Sequence, residues 1–282
     1  MRARIEWKML LPLMCGISLG CGESAIAPVT QYLEANRALT TTAGLTGRIT
    51  YTTGTIHVYN LATNVDTDLR VSGVNPKFSP DGSLIVCQCS GIKVMNADGT
   101  NQRVLNATGG TPAFDPTGTM IAFVNNGIWK VKVGGTGLTQ LTDGGHWPAW
   151  SPDGAQIAYG ALAGSLQQLF IMNADGTNRH QVLTSGSVID VVWQPSSRIL
   201  LGIDSGNYDL YSYDPLNPSS LSRLTTSSRI NDFEASWSPG GTQISWTAGT
   251  SGGTSGIWTM NADGSGKQGP IIPKGRQGSW GR

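Results

Sequence analysis

Charge is scarce in these 282 residues: Asp, Glu, Lys and Arg make up only 13%. Histidine occurs three times and cysteine four. No run has the length and apolarity of a membrane-spanning helix, and long amphipathic runs of helical period are missing. The formal charge is +1, and three of the basic residues, Arg2, Arg4 and Lys8, fall in the first twenty positions beside a single acid, Glu6. The remainder is close to neutral and shows no basic stripe, which excludes a nucleic-acid surface. The cysteines lack the paired spacing of a zinc site or a disulfide framework. What is abundant is glycine, at 38 residues, with Val, Ile, Thr, Tyr and Trp. That mixture suits short strands joined by tight turns and predicts an all-β chain.

The start reads as an address. "MRARIEWKMLLPLMCGISLGC" sets basic residues ahead of an apolar run, Met9–Leu19, of signal-peptide length. The run ends "ISLGC", which resembles a bacterial lipobox and implies cleavage after Gly20 and acylation of Cys21. An ordinary secretory signal with a chance cysteine is the alternative. Residues 1–20 are therefore expected to be a signal peptide and 21–46 a flexible tether. Several acyl chains would hold such a protein stably at a membrane. Of the cysteines, Cys87 and Cys89 then remain in the body. They lie two apart on a predicted strand, where a bridge would distort the backbone, so two free thiols are expected.

The body, 47–282, is one unit written six times. An aromatic precedes each Ser-Pro-Asp-Gly-like turn: Phe78, Phe114, Trp150, Trp193 and Trp237, with Trp280 near the end of the sequence. The steps are 36, 36, 43, 44 and 43 residues, close to a four-stranded propeller blade. After each turn comes an alternating pair such as Ile121/Phe123, Ile157/Tyr159 or Ile244/Trp246, the mark of a strand with one buried face. Cys87 fills that slot after Ile85 and reads as a small hydrophobe. A third strand ("GIKVMN", "QLFIMN", "GIWTMN") and a weaker fourth follow. Residues 47–71 lack a first strand, and "RQGSWGR" is a first strand without the rest. The expectation is a six-bladed β-propeller of four antiparallel strands per blade, closed by the C-terminal strand joining the N-terminal blade.

Units such as "PAWSPDGAQIAY" followed by "IMNADGTNRHQVLT" resemble the repeats of TolB-like propellers, relatives of WD-repeat blades. The resemblance covers about 47–282. TolB itself carries a further N-terminal α/β domain for which the 46 preceding residues offer no room, so the expectation is a TolB-like lipoprotein and not TolB. By resemblance the location is the cell envelope, on the periplasmic side of a membrane, the outer one before the inner.

Three copies of "MNADG" followed by Thr or Ser, at Met95, Met172 and Met260, invite a calcium reading. Such a loop needs six to eight oxygens, and each copy offers one carboxylate and one amide. Turn chemistry explains each position instead, with Gly99 and Gly176 at positive φ and Asn96 and Asn173 capping. "GTSGG" matches a nucleophile motif around Ser251, but no strand–elbow–helix context surrounds it. "GSGK" at Gly264 lacks the other residues of a phosphate loop. His57 and His180 read as surface or strand residues.

Aligning the first strands on their aromatics gives a different signal. Three residues earlier stand Asn75, Thr111, Trp147, Asp190, Glu234 and Gln277. One step further back stand His146, Phe233 and Arg276 in three of the units. Innermost strands line the channel, so these side chains should ring one mouth. The leading expectation is a non-enzymatic scaffold binding an envelope protein or peptide there, monomeric, without a cofactor and touching the membrane only through its lipid. One alternative is a propeller enzyme of lyase or lactonase type with a metal on His146, Asp190 and Glu234. Another is small-ligand or glycan binding at the same mouth.

Overall fold

The computed structural model describes residues 44–226, 230–249 and 255–282. The expected signal, Cys21, most of the tether and Ser251 lie outside them. Six four-stranded antiparallel sheets form a ring. From the channel outward, blade one is Arg276–Gly281, Arg48–Thr52, Thr55–Asn60 and Val65–Ser72. Blade two is Val74–Phe78, Leu84–Gln88, Ile92–Asn96 and Arg103–Asn106, and blade three is Gly110–Phe114, Met120–Val124, Ile128–Lys132 and Thr139–Gln140. Blade four is His146–Trp150, Gln156–Ala163, Leu166–Asn173 and His180–Leu183. Blade five is Ser187–Trp193, Ile199–Asp204, Tyr208–Asp214 and Asn217–Arg223. Blade six is Asn231–Trp237, Gln243–Gly249, Ser255–Asn261 and Gln268–Pro273. The C-terminal strand pairs with Arg48–Thr52, matching Trp280 to Ile49, so the ring closes one strand plus three.

The core is distributed over the blade interfaces. Phe78 packs with Ile56, Val58 and Val71 of blade one and with Ile85 of its own blade. Trp150 packs with Ala122, Ile128 and Leu141 of blade three. Trp237 meets Leu200, Leu210 and Leu224 of blade five, and Trp280 meets Ile257, Ile271 and Ile272 of blade six. In these four blades the repeated aromatic therefore wedges its blade against the previous one, each burial favouring the ring by about 1.5–3 kcal/mol. Leu45 is buried in the same cluster as Trp280, and the Trp280 indole donates to the Thr46 carbonyl at 2.8 Å. Leu45 and Thr46, ahead of position 47, thus belong to the packed body.

One expectation fails: Cys87 and Cys89 form a disulfide. The strand ends at Gln88, and Ser90 takes φ 57°, so Cys89 is not held to the pleat. The two Cα atoms are 5.5 Å apart, closer than the roughly 6.6 Å of two residues of strand rise, and the bridge fits without breaking the ladder. Cys87 keeps its core slot and is fully buried.

The repeated turns behave as their residues dictate. In "SPDG", the Gly82 N–H donates to the Ser79 carbonyl at 2.8 Å, with Gly82 at φ 73°. In "NADG", Asn96 Nδ2 donates to Thr100 Oγ1 at 2.9 Å, and that hydroxyl donates to Asp98 Oδ1 at 2.6 Å. The same pattern returns at Asn173–Thr177 and Asn261–Ser265. The Ala97, Ala174 and Ala262 N–H groups donate to the carbonyls of Ser83, Ala155 and Thr242. Both turn types therefore share one face of the ring, opposite the blade-to-blade junctions.

Candidate functional site

The innermost strand of every blade carries a bulge near its start, where pairing with its neighbour slips between Val74 and Lys77, Gly110 and Ala113, His146 and Ala149, Val188 and Asp190, and Phe233 and Ser236; the partner of the closing strand slips likewise, between Thr50 and Thr52. Asn75, Thr111, Trp147, Glu234 and Gln277 all sit in that bulge in the left-handed region, with φ between 44° and 57°. Bulky residues rarely adopt this conformation. Here the bulge turns each side chain toward the axis. These residues and Asp190 line one cavity of about 790 Å³ along the channel. Phe233 lines it too, whereas His146 and Arg276 are exposed at the rim.

The six positions do not share one role. Asp190 accepts the Val191 N–H at 3.0 Å on one oxygen and the Ala235 N–H of blade six at 3.1 Å on the other. The equivalents of Val191 and Ala235 in blades two, three and four are Pro76, Pro112 and Pro148, which have no N–H to satisfy. Asp190 thus replaces two prolines. Glu234 Oε2 accepts the Gln277 N–H at 3.1 Å, and Gln277 Oε1 accepts the Asn75 N–H at 3.0 Å. Side chains therefore stitch each bulge to the next from blade five round to blade two. Burial pushes the carboxyls of Asp190 and Glu234 above their ordinary range, and Asp190 raises Glu234 further. Lys77 pulls both back.

The stitching stops at blades three and four. The Thr111 hydroxyl is buried without a hydrogen-bond partner. Trp147 lies over Gly160, where an added Cβ would stand 2.9 Å from the indole, and its ring centroid is 5.2 Å from that of His146. Phe233 meets Tyr208 edge to face, centroids 6.3 Å apart. Around this mouth stand Val74, Tyr208 and the hairpin tip residues Leu162 and Leu166, which are 68% and 44% exposed.

Lys77 was missed by aligning only the outer tiers. One residue before each aromatic stand Lys77, Ala113, Ala149, Val192, Ser236 and Ser279, all lining the cavity. A single lysine among small residues was the available signal. Among the described residues no group of three or more His, Cys, Asp or Glu is placed to hold a metal ion, so His146, Asp190 and Glu234 are not gathered as a ligand set. His57 lies in a separate cluster on blade one, with Nδ1 3.2 Å from Asp66. His180 is exposed.

The ring, its closure and its repeat define a six-bladed propeller of TolB-like architecture. No protein-family model and no curated protein matches the chain. Among solved structures, a putative TolB from Agrobacterium tumefaciens superposes with a TM-score of 0.70 at 16% identity, over 83% of this chain and 92% of that one. TolB from Acinetobacter baumannii gives 0.69 at 18%, over 89% and 69%. An oligogalacturonate lyase in complex with manganese gives 0.52 at 14%, over 76% and 69%. One protein of this fold is thus an enzyme, and the fold alone does not fix the function.

Proposed function

We propose that this propeller is a non-enzymatic scaffold of the cell envelope that binds a protein or peptide at the channel mouth. The observation that carries the reading is the group of aromatic side chains, Trp147, Tyr208 and Phe233, held in the cavity at one mouth. Leu162, Leu166 and Val74 are exposed on the same face, while Leu216, Leu138 and Val65 are exposed at hairpins of the opposite face. The repeated turns of the opposite face bond to themselves. Exposed apolar groups clustered round a preformed cavity mark interaction surfaces.

Trp147 is the anchor of this reading. The bulge and Gly160 hold its ring before a partner arrives, which lowers the entropy cost of association. The metal-dependent enzyme is disfavoured by the donors themselves: Asp190 and Glu234 already accept backbone N–H groups, and His146 is out on the rim. The lipobox-like "ISLGC" supports anchoring through Cys21, and the likeness to TolB structures supports a cell-envelope setting, which we place on the periplasmic side of the outer membrane with the protein as a monomer. Changing Cys21 to Ala should move the protein from the membrane to the soluble fraction.

Crosslinked capture from envelopes tests the binding site. Trp147→Ala should lose at least one partner held by the wild type, a loss of about 2 kcal/mol or more for a buried aromatic anchor. Gly160→Ala, which displaces the indole without removing it, should weaken the same partner. Identical partner sets for all three proteins would contradict the mouth as the site.

A further inference from the structure

The hydrogen-bonding capacity of the cavity is unevenly used. On the side of blades five, six and one the acceptors are engaged: both oxygens of Asp190, one of Glu234 and that of Gln277 hold backbone N–H groups. On the side of blades two and three one donor is unused, although it interacts electrostatically with Asp190 and Glu234. The Lys77 ammonium makes no hydrogen bond or ion pair among the described residues, although an ammonium offers three donors. The Thr111 side chain lines the cavity beside it, with its hydroxyl oxygen turned out of reach of the channel. Trp147 follows in blade four, with Ala113 and Ala149 between. A ligand that completes this half must bring an acceptor, and the ammonium selects an anionic one. Asp190 and Glu234 across the channel disfavour a doubly charged group. The small apolar wall requires a carbon neighbour beside the charge.

We propose that the mouth recognises a side-chain carboxylate of its peptide partner, held by Lys77, with an adjacent apolar residue against Trp147. This rests on the peptide-binding reading above and adds the partner's chemistry. The ionisable groups that face this site are Lys77, Asp190 and Glu234 inside, with Asp115, Tyr208 and Arg282 also lining the cavity, and His146 and Arg276 at the rim. An incoming anion favours the protonated forms of the two enclosed carboxyls. Binding is expected to take up protons and to weaken as pH rises.

Peptides selected from a random heptapeptide library on the full-length protein, then measured by fluorescence anisotropy, test this. The expected sequences are enriched in Asp or Glu beside an apolar or aromatic residue. Lys77→Met should weaken them about tenfold or more, as loss of a charged hydrogen bond does. Replacing the peptide's Asp by Asn should cost the same factor in wild type and nothing further in Lys77→Met. Lys77→Arg should restore part of the affinity, and together with the Asp-to-Asn peptide it decides the matter if Lys77→Met fails to fold. Trp147-dependent peptides that are basic, indifferent to Lys77, or tighter at high pH would overturn the carboxylate and leave the peptide reading standing. Peptides indifferent to Trp147→Ala, or none at all, would overturn the peptide reading. In that case Lys77-dependent binding of an oligouronate probe would assign the carboxylate to a glycan.

Discussion

Asp232 shows how one residue can set a pH response away from the mouth. It is buried between blades five and six, accepts the Trp246 indole N–H at 2.7 Å and faces Thr225, Asp209 and Lys267. Asp209, itself fully buried, is paired with Arg223 at 2.5 Å. Burial first, and Asp209 in addition, push the Asp232 carboxyl up to about 6, against the pull of Trp246, Thr225 and Lys267. The folded state therefore binds this proton more tightly than the unfolded chain does. Stability from this group is full below the unfolded value near 4 and is lost as pH rises through about 6, by at most about 3 kcal/mol. Asp232→Asn keeps an acceptor for Trp246 without the charge. Its melting temperature should exceed that of wild type at pH 8, with the gap closing by pH 4.5; a constant gap would show that charge is not the cause. Asp190 carries the opposite lesson. Its place in a polar ring suggested recognition, but its two oxygens serve two backbone N–H groups that proline removes in other blades. Asp190→Asn would turn a donor toward one of those groups and should destabilise by about 1–3 kcal/mol in chemical denaturation.

At the scale of elements, turns were legible in the sequence and bulges were not. "SPDG" and "NADG" name their conformations because proline fixes one φ and glycine frees another. Gly176 has φ 90°, and a Cβ there would stand 3.0 Å from the Leu141 carbonyl oxygen. Gly176→Val should lower the melting temperature by several degrees, while chelators leave it unchanged; a chelator-sensitive transition would revive the calcium reading. The bulges leave no such mark. Their left-handed positions are filled by Asn, Thr, Trp, Glu and Gln, residues chosen for the side chains they aim inward and not for backbone ease. Alignment on the aromatics found these positions because the repeat itself is regular. It could not say that half of them stitch the ring together. The disulfide was hidden for a related reason: the pleat that argues against bridging Cys87 to Cys89 ends one residue before Cys89.

The whole molecule joins two faces of different character through one closed ring. Closure depends on Trp280, which packs against blade six and donates to Thr46. Trp280→Ala should cost about 3–5 kcal/mol and loosen both ends together, seen as fast amide exchange in Arg48–Thr52 as well as Arg276–Gly281. Closure also helps preform the mouth: from blade five round to blade two each bulge is bonded to the blade beside it. The central claim is that the varied face binds and the repeated face does not. A photo-crosslinking residue placed in living cells at His146 or Leu162, on the rim, and at Thr177, in the opposite turn, tests it most directly. The account predicts adducts from the rim positions that vanish with Trp147→Ala, and none from Thr177. Equal adducts from Thr177, or rim adducts indifferent to Trp147, would contradict it.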